Sequence, residues 1–417
     1  MKKLSLVIKF FTIAMICIGI LFYFNEKIQF SNYRTVLFVI APILLGIFLL
    51  LVNFNTKIII FNTIIIFGFF SFFLEVFFLL EKNNNQNNFN QVALDSNKNI
   101  PQLCGTFFIN TKKLNLYPLG GISNIPVKLK NKFTKKETIE NTDNFGFKNS
   151  NKWSIDSDID FVFIGDSFTY GADVAHKESF FDYFTSSYPN SINFGCGGTG
   201  PIIQKAIFSE YVKNLKPNYV IWNLNLGNDI NSDLQREYNS FYKNYLDNDF
   251  SQNLISRQSD INKLYMNFWS KFVDLRNIEK KKYKENNLST NNNSINFIDI
   301  LKLNSLRNFL GLNFSFSPST FETLKLILYQ VKKETNEWNG KLIINIIPSD
   351  QKYISLFHQL DYNSYNSKII NFVKENDFNY IDLSNYINKD NYYKYFDGHF
   401  TILGNKLVSE IILDKVN

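Results

Sequence analysis

Residues 160–171 read DFVFIGDSFTYG, and the predicted fold is organised around this stretch. An apolar run from Phe161 leads without a charged residue into Gly165, Asp166 and Ser167, which is typical of a buried strand that ends in a tight turn. Open α/β sheets place their chemistry beyond the carboxyl ends of such strands. Ser167 is therefore a candidate nucleophile at the edge of a sheet.

Strand patterns and helix patterns alternate along the chain from Asp158 onward. Apolar residues recur on one helical face over residues 202–215, directly after Pro201, which is a favourable first helical residue. Such alternation predicts a parallel sheet with helices on both faces. The predicted strands are residues 161–165, 191–194, 219–226, 342–347 and 380–383.

Apolar residues concentrate before residue 80 of this 417-residue chain. Three segments, residues 4–24, 35–52 and 58–80, approach or exceed the length of about 20 apolar residues that a membrane span requires. A cleaved signal peptide would have a shorter apolar region and no spans behind it. Residues 1–80 are therefore predicted to form three transmembrane helices. Glu75 lies in the third, where an acid indicates a functional site, a side chain that reaches the headgroups, or a pairing with another helix.

An odd number of spans places the two ends of the chain on opposite sides of the bilayer. The lysines and arginine near the spans are slightly biased toward the side of the N-terminus, and the more positive side faces the cytoplasm. We therefore expect an integral protein of the inner (cytoplasmic) membrane, with everything after residue 80 on the extracytoplasmic side. The four cations on the inner side are Lys2, Lys3, Lys9 and Lys57, against Lys27, Arg34 and Lys82 outside.

The polar part of the chain divides into three predicted regions. Residues 81–100 are rich in Asn and Gln, which predicts a linker. Residues 101–150 have only scattered apolar pairs and are expected to form irregular structure or short strands packed on the domain that follows. Residues 151–417 form the α/β domain, and residues 231–318 interrupt its alternating pattern as a predicted helical insertion.

Charge and cysteine content exclude several classes of function. The net charge of +7 comes from 44 basic and 37 acidic residues without a long block of one sign, so a nucleic-acid partner is not expected. Three cysteines give no disulfide framework, although one bridge between Cys104 and Cys196 fits the sequence. No cluster of histidine, cysteine and carboxylate residues has metal-ligand spacing, so neither a metal nor another cofactor is expected.

A serine nucleophile needs a base within hydrogen-bonding reach, and the chain has three histidines. His176 falls in a predicted surface loop and His358 in a helical pattern. His399 precedes the final amphipathic helix and has Asp397 two residues before it. In a loop, Asp397 can turn back onto the imidazole and fix its tautomer. His399 is therefore the candidate base for Ser167.

Four short blocks resemble the SGNH (GDSL-type) hydrolase family, over roughly residues 145–417 without the insertion. They imply a flavodoxin-like three-layer α/β/α sandwich. Two blocks depart from the family pattern: the usual Asp-x-x-His is one residue shorter here, and Leu226 takes the place of the first glycine in Gly-x-Asn-Asp. In chain order the blocks are Gly165-Asp166-Ser167, Asn193-x-Gly195-x-x-Gly198, Gly227-Asn228-Asp229 and Asp397-Gly398-His399.

The resemblance also implies a role for each motif residue. Ser167 would be the nucleophile, His399 the general base and later the general acid, and Asp397 the residue that orients the histidine. The backbone N–H groups of Ser167 and Gly198 and the side-chain amide of Asn228 would hold the oxyanion. The remaining residues are expected to shape the turns that present these groups: Gly165, Asp166, Asn193, Gly195, Gly227 and Asp229.

An acyl-serine intermediate released to water makes an esterase, whereas release to a sugar hydroxyl makes an O-acyltransferase. A membrane anchor with an external domain resembles SGNH proteins that add or remove acetyl groups on cell-surface polysaccharide. The first hypothesis is therefore a membrane-anchored serine esterase acting on O-acetyl esters of a cell-surface glycan. An O-acetyltransferase with the same triad and a catalytically silent glycan-binding domain are the alternatives. If an acyl donor must cross the membrane, a separate membrane protein is expected to carry it.

Overall fold

The computed structural model describes eleven stretches of the chain. The chain divides into two compact units. The first unit comprises Met1–Ser96, Glu285–Pro318 and Ser355–Ser364, and the second comprises Asn97–Lys284, Ser319–Ile354 and Tyr365–Asn417. The described residues are 10, 12–14, 16–17, 40–95, 115–131, 133–149, 153–267, 303–309, 318–353, 356–392 and 398–417.

The first unit contains one helix, among the described residues, that is long and apolar enough to cross a membrane. This is the part Phe54–Leu79 of the helix Phe54–Asp95, with a mean hydropathy of 2.1. The helix begins after Asn53, whose side-chain oxygen accepts from the backbone N–H of Thr56 at 2.9 Å. It continues to Asp95, through most of the residues predicted as a linker.

The structure supports one of the three predicted membrane spans. Within the second predicted span it has the helix Ala41–Leu51, whose 11 residues reach about 16 Å at 1.5 Å per residue. That length falls short of the roughly 30 Å hydrocarbon layer of a bilayer. The extended Val52 ends this helix at the predicted end of the span, and residues 35–39 lie outside the described residues. The first predicted span, residues 4–24, lies largely outside the described residues.

Glu75 of the long helix is fully buried and binds a second helix of the first unit. Its two carboxylate oxygens accept from the backbone N–H groups of Ser305 and Leu306 at 2.8 and 2.7 Å. These N–H groups lie in the first turn of the helix Asn304–Phe309, where they lack a partner within the helix. Of the roles expected for this acid, the structure has the pairing with another helix.

The second unit is built on a five-stranded parallel sheet. Numbered in chain order within the sheet, its strands lie in the order 2-1-3-4-5 of flavodoxin-like doubly wound folds. All five predicted strands are present, with bounds that agree to within one residue. The strands are β3 Phe161–Ile164, β4 Ser191–Asn193, β5 Tyr219–Asn225, β6 Lys341–Ile347 and β7 Asn379–Asp382.

Helices follow the strands along the chain. The α-helices beyond residue 153 include Ser167–Tyr170, Phe180–Phe184, Pro201–Ile207, Lys213–Leu215, Leu234–Tyr238, Pro318–Glu337, Leu356–Glu375 and Ile402–Val416. Residues 258–267 are also helical. The π-helical turns Phe208–Val212 and Asp229–Asp233 and the 3₁₀ turns Phe241–Leu246, Asp350–Tyr353, Leu383–Asn385 and Lys389–Asn391 complete the set.

The sheet is covered on both faces. All four residues of β3 are buried, which is typical of a central parallel strand. On one face Phe161 and Phe163 pack in a core with Phe184 and Ile412 from two helices. Alternate strand residues point the other way, and there Trp222 donates from its indole nitrogen to Gln204 of the helix Pro201–Ile207 at 2.6 Å.

The segment ahead of the sheet contains an antiparallel hairpin, β1 Pro126–Lys130 and β2 Glu137–Asn141. Val127 and Leu129 pack with Tyr170, which belongs to the short helix after β3. The side chain of Asn149 accepts from the backbone N–H of Asn193 at 2.8 Å and donates to its carbonyl oxygen at 3.1 Å. The segment thus stabilises the turns that follow β3 and β4 by packing and hydrogen bonding.

Candidate active site

Ser167 begins a short helix at the carboxyl end of β3. Asp166 caps this helix, because its side chain accepts from the backbone N–H of Phe168 at 2.9 Å. Gly165 is needed for close packing, since a Cβ at this position would lie 2.2 Å from the Thr169 hydroxyl oxygen. The turn therefore holds Ser167, which is half-buried, at the edge of the sheet as predicted.

His399 lies against Ser167 although 232 positions separate them. Its Nε2 atom is 2.7 Å from the Ser167 hydroxyl oxygen. The imidazole packs edge-on against Phe168, with 5.1 Å between the ring centroids. The next residue, Phe400, forms an isolated antiparallel β-bridge with Tyr392. Of the three histidines, the structure brings His399 to the serine, and His176 pairs with another residue.

The second imidazole nitrogen of His399 is bound by Asp173. The distance from Nδ1 to the carboxylate oxygen of Asp173 is 2.7 Å. Gly171 and Asp173 both have left-handed backbones, with φ of +73° and +65°. These residues turn the chain back toward the sheet edge, and aspartate tolerates this conformation better than most residues. Ser167, His399 and Asp173 thus stand in one hydrogen-bonded line.

The predicted orienting acid, Asp397, lies outside the described residues. In the structure, Asp173 is the residue that contacts Nδ1 of His399. The physical reason is local: two left-handed residues reverse the chain within six positions of the serine. Neither hydrophobic periodicity nor the spacing of the motif blocks reports such a reversal. The sequence signal that could have suggested it is Gly171, a residue that commonly ends a helix in a left-handed turn.

The loop after β4 runs alongside Ser167. Asn193 holds it in place, because its amide donates to the carbonyl oxygen of Thr169 at 2.7 Å and its side-chain oxygen accepts from Gly195 N–H at 2.7 Å. A Cβ built on Gly197 would lie 3.8 Å from the Cβ of Ser167. Gly198 follows with a φ of +75°, which glycine adopts readily.

Asn228 follows β5 and is oriented by a residue that the sequence analysis did not identify. This residue is Asn225, whose amide donates to the Asn228 side-chain oxygen at 2.5 Å and to Asp166 at 3.0 Å. Its own side-chain oxygen accepts from Gly227 N–H at 2.9 Å, and its backbone N–H donates to Asp229 at 2.9 Å. Asn225 therefore connects the first and third motif blocks. The sequence signal that could have indicated Asn225 is its position at the end of a buried strand.

Asp166 and Asp229 are fully buried behind these turns. Burial raises the pKa of Asp166, against the opposing effect of the hydrogen bonds from Asn225 and Phe168. Burial also raises the pKa of Asp229 well above its ordinary value, and the nearby Asp166 carboxylate adds to this. Their contacts are with turn residues rather than with the hydroxyl of Ser167. The turn-shaping roles expected for both stay predictions.

One group of described side chains has the composition of a metal site. Ligand atoms of Glu140, His176 and Asp182 lie within 4.8 Å of one another. His176 pairs with Glu140 at 3.1 Å, and Asp182 accepts from the hydroxyl of Ser179 at 2.7 Å in the capping box of the next helix. Glu140 comes 36 positions before His176, so sequence spacing did not reveal the group.

The cysteines differ in state. Cys196, in the loop beside Ser167, is fully buried and disulfide-bonded. Cys17 is free. Cys104, which the sequence suggested as the partner of Cys196, lies outside the described residues.

No protein-family model matches the sequence, and no curated protein matches it. Solved structures resemble the fold at low identity. A variant of an acetyl xylan esterase from Geobacillus stearothermophilus is 12% identical, with 63% of this chain and 95% of that chain covered and a TM-score of 0.35. A member of the lipolytic G-D-S-L family from Veillonella parvula is 10% identical, with 61% and 97% covered and a TM-score of 0.33.

A GDSL-like lipase from Bacteroides thetaiotaomicron is 13% identical, with 61% of this chain and 86% of that chain covered and a TM-score of 0.32. At such identities and TM-scores these likenesses carry no weight for function. The function is therefore inferred from the geometry around Ser167.

Proposed function

We propose that the protein is a membrane-anchored serine esterase that acts on O-acyl esters through an acyl-serine intermediate. One observation carries the proposal: His399 lies 2.7 Å from the Ser167 hydroxyl with one nitrogen and 2.7 Å from Asp173 with the other. A serine, an imidazole and a carboxylate in this order form a nucleophile, its base and the group that orients the base.

In the first step, Ser167 Oγ attacks the carbonyl carbon of the ester while His399 Nε2 takes the hydroxyl proton. Asp173 accepts the Nδ1–H hydrogen bond and stabilises the imidazolium that forms. The oxyanion is held by the backbone N–H groups of Ser167 and Gly198 and by the Asn228 amide. Each such donor contributes on the order of 3 kcal/mol to the stability of the transition state.

The tetrahedral intermediate collapses when the bond to the alcohol oxygen breaks and His399 gives its proton to that oxygen. The acyl group is then bonded to Ser167. A water molecule, deprotonated by His399, attacks the acyl carbon, and the proton returns to Ser167 as the carboxylic acid leaves. A sugar hydroxyl in place of water would give acyl transfer with the same residues.

Two observations support the proposed location of the enzyme. The apolar part Phe54–Leu79 has the length and hydropathy of a membrane span, and its sequence is preceded by further apolar segments. Cys196 is in a disulfide, and disulfides persist in oxidising compartments outside the cytoplasm. Both support anchoring in the cytoplasmic membrane with residues 151–417 outside it, and the lipid bilayer as a partner. Denatured, unreduced protein should then have one alkylatable thiol, Cys17.

The proposed substrate is an O-acetyl ester of a cell-surface glycan. The resemblance of the four motif blocks to SGNH proteins supports this class of substrate, and a membrane anchor would keep the enzyme close to such a glycan. The experiment is acetate release from an O-acetylated polysaccharide by purified full-length protein in detergent. Release by the wild type and its loss in Ser167→Ala support the proposal. Equal release by both variants contradicts it.

The same assay with an added unacetylated acceptor separates the two reactions. Acetylated acceptor in excess of free acetate identifies a transferase, in which case a separate membrane protein would supply the acyl donor. Free acetate in excess identifies the esterase. Binding of the glycan without any acyl chemistry identifies a silent binding domain.

A further inference from the structure

Arg236 reaches from the helix Leu234–Tyr238 to the loop beside Ser167. Its Nη2 atom donates to the carbonyl oxygen of Gly198 at 2.6 Å. Gly198 has no side chain, a left-handed φ and open space where a Cβ would be, so its own packing restrains it little. The arginine therefore supplies a restraint on the orientation of this glycine.

Asp233 reaches in the same way to Asn228. Its Oδ2 atom accepts from the Asn228 amide at 2.6 Å, while Asn225 donates to the amide oxygen. The amide is therefore held from both ends. An amide nitrogen carries two hydrogens, so the Asp233 contact uses one and the other can serve an oxyanion.

The two restraints are joined. The other carboxylate oxygen of Asp233, Oδ1, lies 2.9 Å from Nη1 of Arg236. Asp233 and Arg236 are three positions apart where a π-helical turn passes into an α-helix, so they lie on neighbouring turns. A continuous line of two hydrogen bonds and one ion pair runs from the Asn228 amide through both charged groups to the Gly198 carbonyl.

The charges explain why the line is stable. The Asp233 side chain is 6% exposed, and a buried carboxylate needs a partner. Arg236 is 43% exposed, so its charge remains hydrated while its planar fork contacts two acceptors. Glu237, the next residue, accepts from the backbone N–H groups of Ile202 and Ile203 at 3.0 and 3.1 Å. It thereby fixes the far end of the same loop.

We propose that Asp233 and Arg236 are positioning residues that hold the side-chain donor Asn228 and the backbone donor Gly198 of the oxyanion site in one hydrogen-bonded unit. The proposal rests on the proposed function. Neither residue contacts the substrate in this role. Their effect is on the geometry of the two donors at the moment when negative charge develops on the ester oxygen.

The test measures kcat and KM for a soluble aryl acetate with full-length protein in detergent. Arg236→Gln should lower kcat by about 10- to 100-fold and leave KM within about twofold. The misplaced donors would weaken binding of the transition state but not of the ground-state ester, so the loss falls on kcat. Arg236→Lys should recover part of the loss, since it restores the charge beside Asp233 without the fork. The matched control is Arg257→Gln, because Arg257 donates to the carbonyl of Asn115 at 3.2 Å in the same manner.

The pairing is tested by the double variant of Asp233→Asn with Arg236→Gln. If the two residues form one unit, the double variant is no slower than the slower single variant. Multiplied losses, an unchanged kcat in Arg236→Gln, or an equal loss in Arg257→Gln would overturn the positioning role while wild-type activity stands. A wild type that neither turns over the ester nor reacts with a fluorophosphonate would overturn the proposed function and this role together.

Discussion

The carboxylate of Asp173 binds Nδ1 of His399 across 226 positions of sequence, at 2.7 Å. In the proposed mechanism this contact makes Asp173, six residues after the serine, the orienting acid, whereas Asp397, the acid predicted from the sequence, lies outside the described residues. It also places the base and the acid on different elements: the acid on the turn that follows the Ser167 helix, and the base on the loop before the last helix. The turn that presents the nucleophile therefore also presents the acid.

Asp173→Asn tests this assignment. Asparagine tolerates the left-handed backbone at this position, so the turn should persist while the carboxylate is lost. The imidazole would then lack its anionic partner, and kcat should fall by about 10³- to 10⁴-fold. Asp397→Asn is the matched variant and should change kcat less than about tenfold. The reverse ranking of the two variants in a steady-state assay would restore Asp397 to the orienting role.

The parallel sheet was predictable because its strands are buried on both faces. The run from Phe161 to Ile164 is apolar without alternation, and Gly165 marks its end, so periodicity and turn chemistry agree. Ser167 and His399 were predictable because the chemistry of a serine nucleophile requires a histidine and few are available. The motif blocks indicated Asn228, but they did not indicate what holds it.

The side chains that sequence reasoning missed are brought into place by turns that form only in the fold. Asp173 depends on the left-handed turn after Gly171, and left-handed residues leave only weak traces in a sequence. Asn225 acts through four hydrogen bonds to turns that come together only in the fold.

The buried acids behind the site predict a specific dependence of stability on pH. Burial raises the pKa of Glu237 from 4.5 to about 8, despite the hydrogen bonds from backbone N–H groups of Gly200 and Ile203. Between these two values the folded protein retains a proton that the unfolded chain has released. The contribution to the free energy of unfolding is complete below about pH 4.5 and is lost as the pH rises through 8, by up to about 1.4 kcal/mol per pH unit.

The melting temperature should therefore fall between about pH 5 and pH 8. Glu237→Gln keeps an acceptor for the helix N–H groups and does not titrate, so its melting temperature should fall less steeply over the same range. Thermal unfolding followed by fluorescence at several pH values measures both slopes. Parallel curves for the wild type and Glu237→Gln would show that Glu237 does not carry the expected proton.

The contact between Glu75 and the helix Asn304–Phe309 predicts a local change within the first unit. Glu75→Ala removes the acceptor of the Ser305 and Leu306 N–H groups, a loss comparable to that of a helix cap and worth about 1 kcal/mol. Hydrogen exchange at these amides in the detergent-solubilised protein should then accelerate about fivefold. Thr63→Ala, a substitution elsewhere on the same helix, is the control and should leave their exchange unchanged. Equal exchange in the wild type and Glu75→Ala would contradict the contact.

Covalent labelling tests whether His399 activates Ser167 as a nucleophile. Full-length protein is treated with a fluorophosphonate, and the modified residue is located by mass spectrometry. We expect one adduct, on Ser167, that is absent from Ser167→Ala and forms at least about 100-fold more slowly in His399→Ala. A wild type that remains unlabelled, or that is labelled equally in the absence of His399, would contradict it.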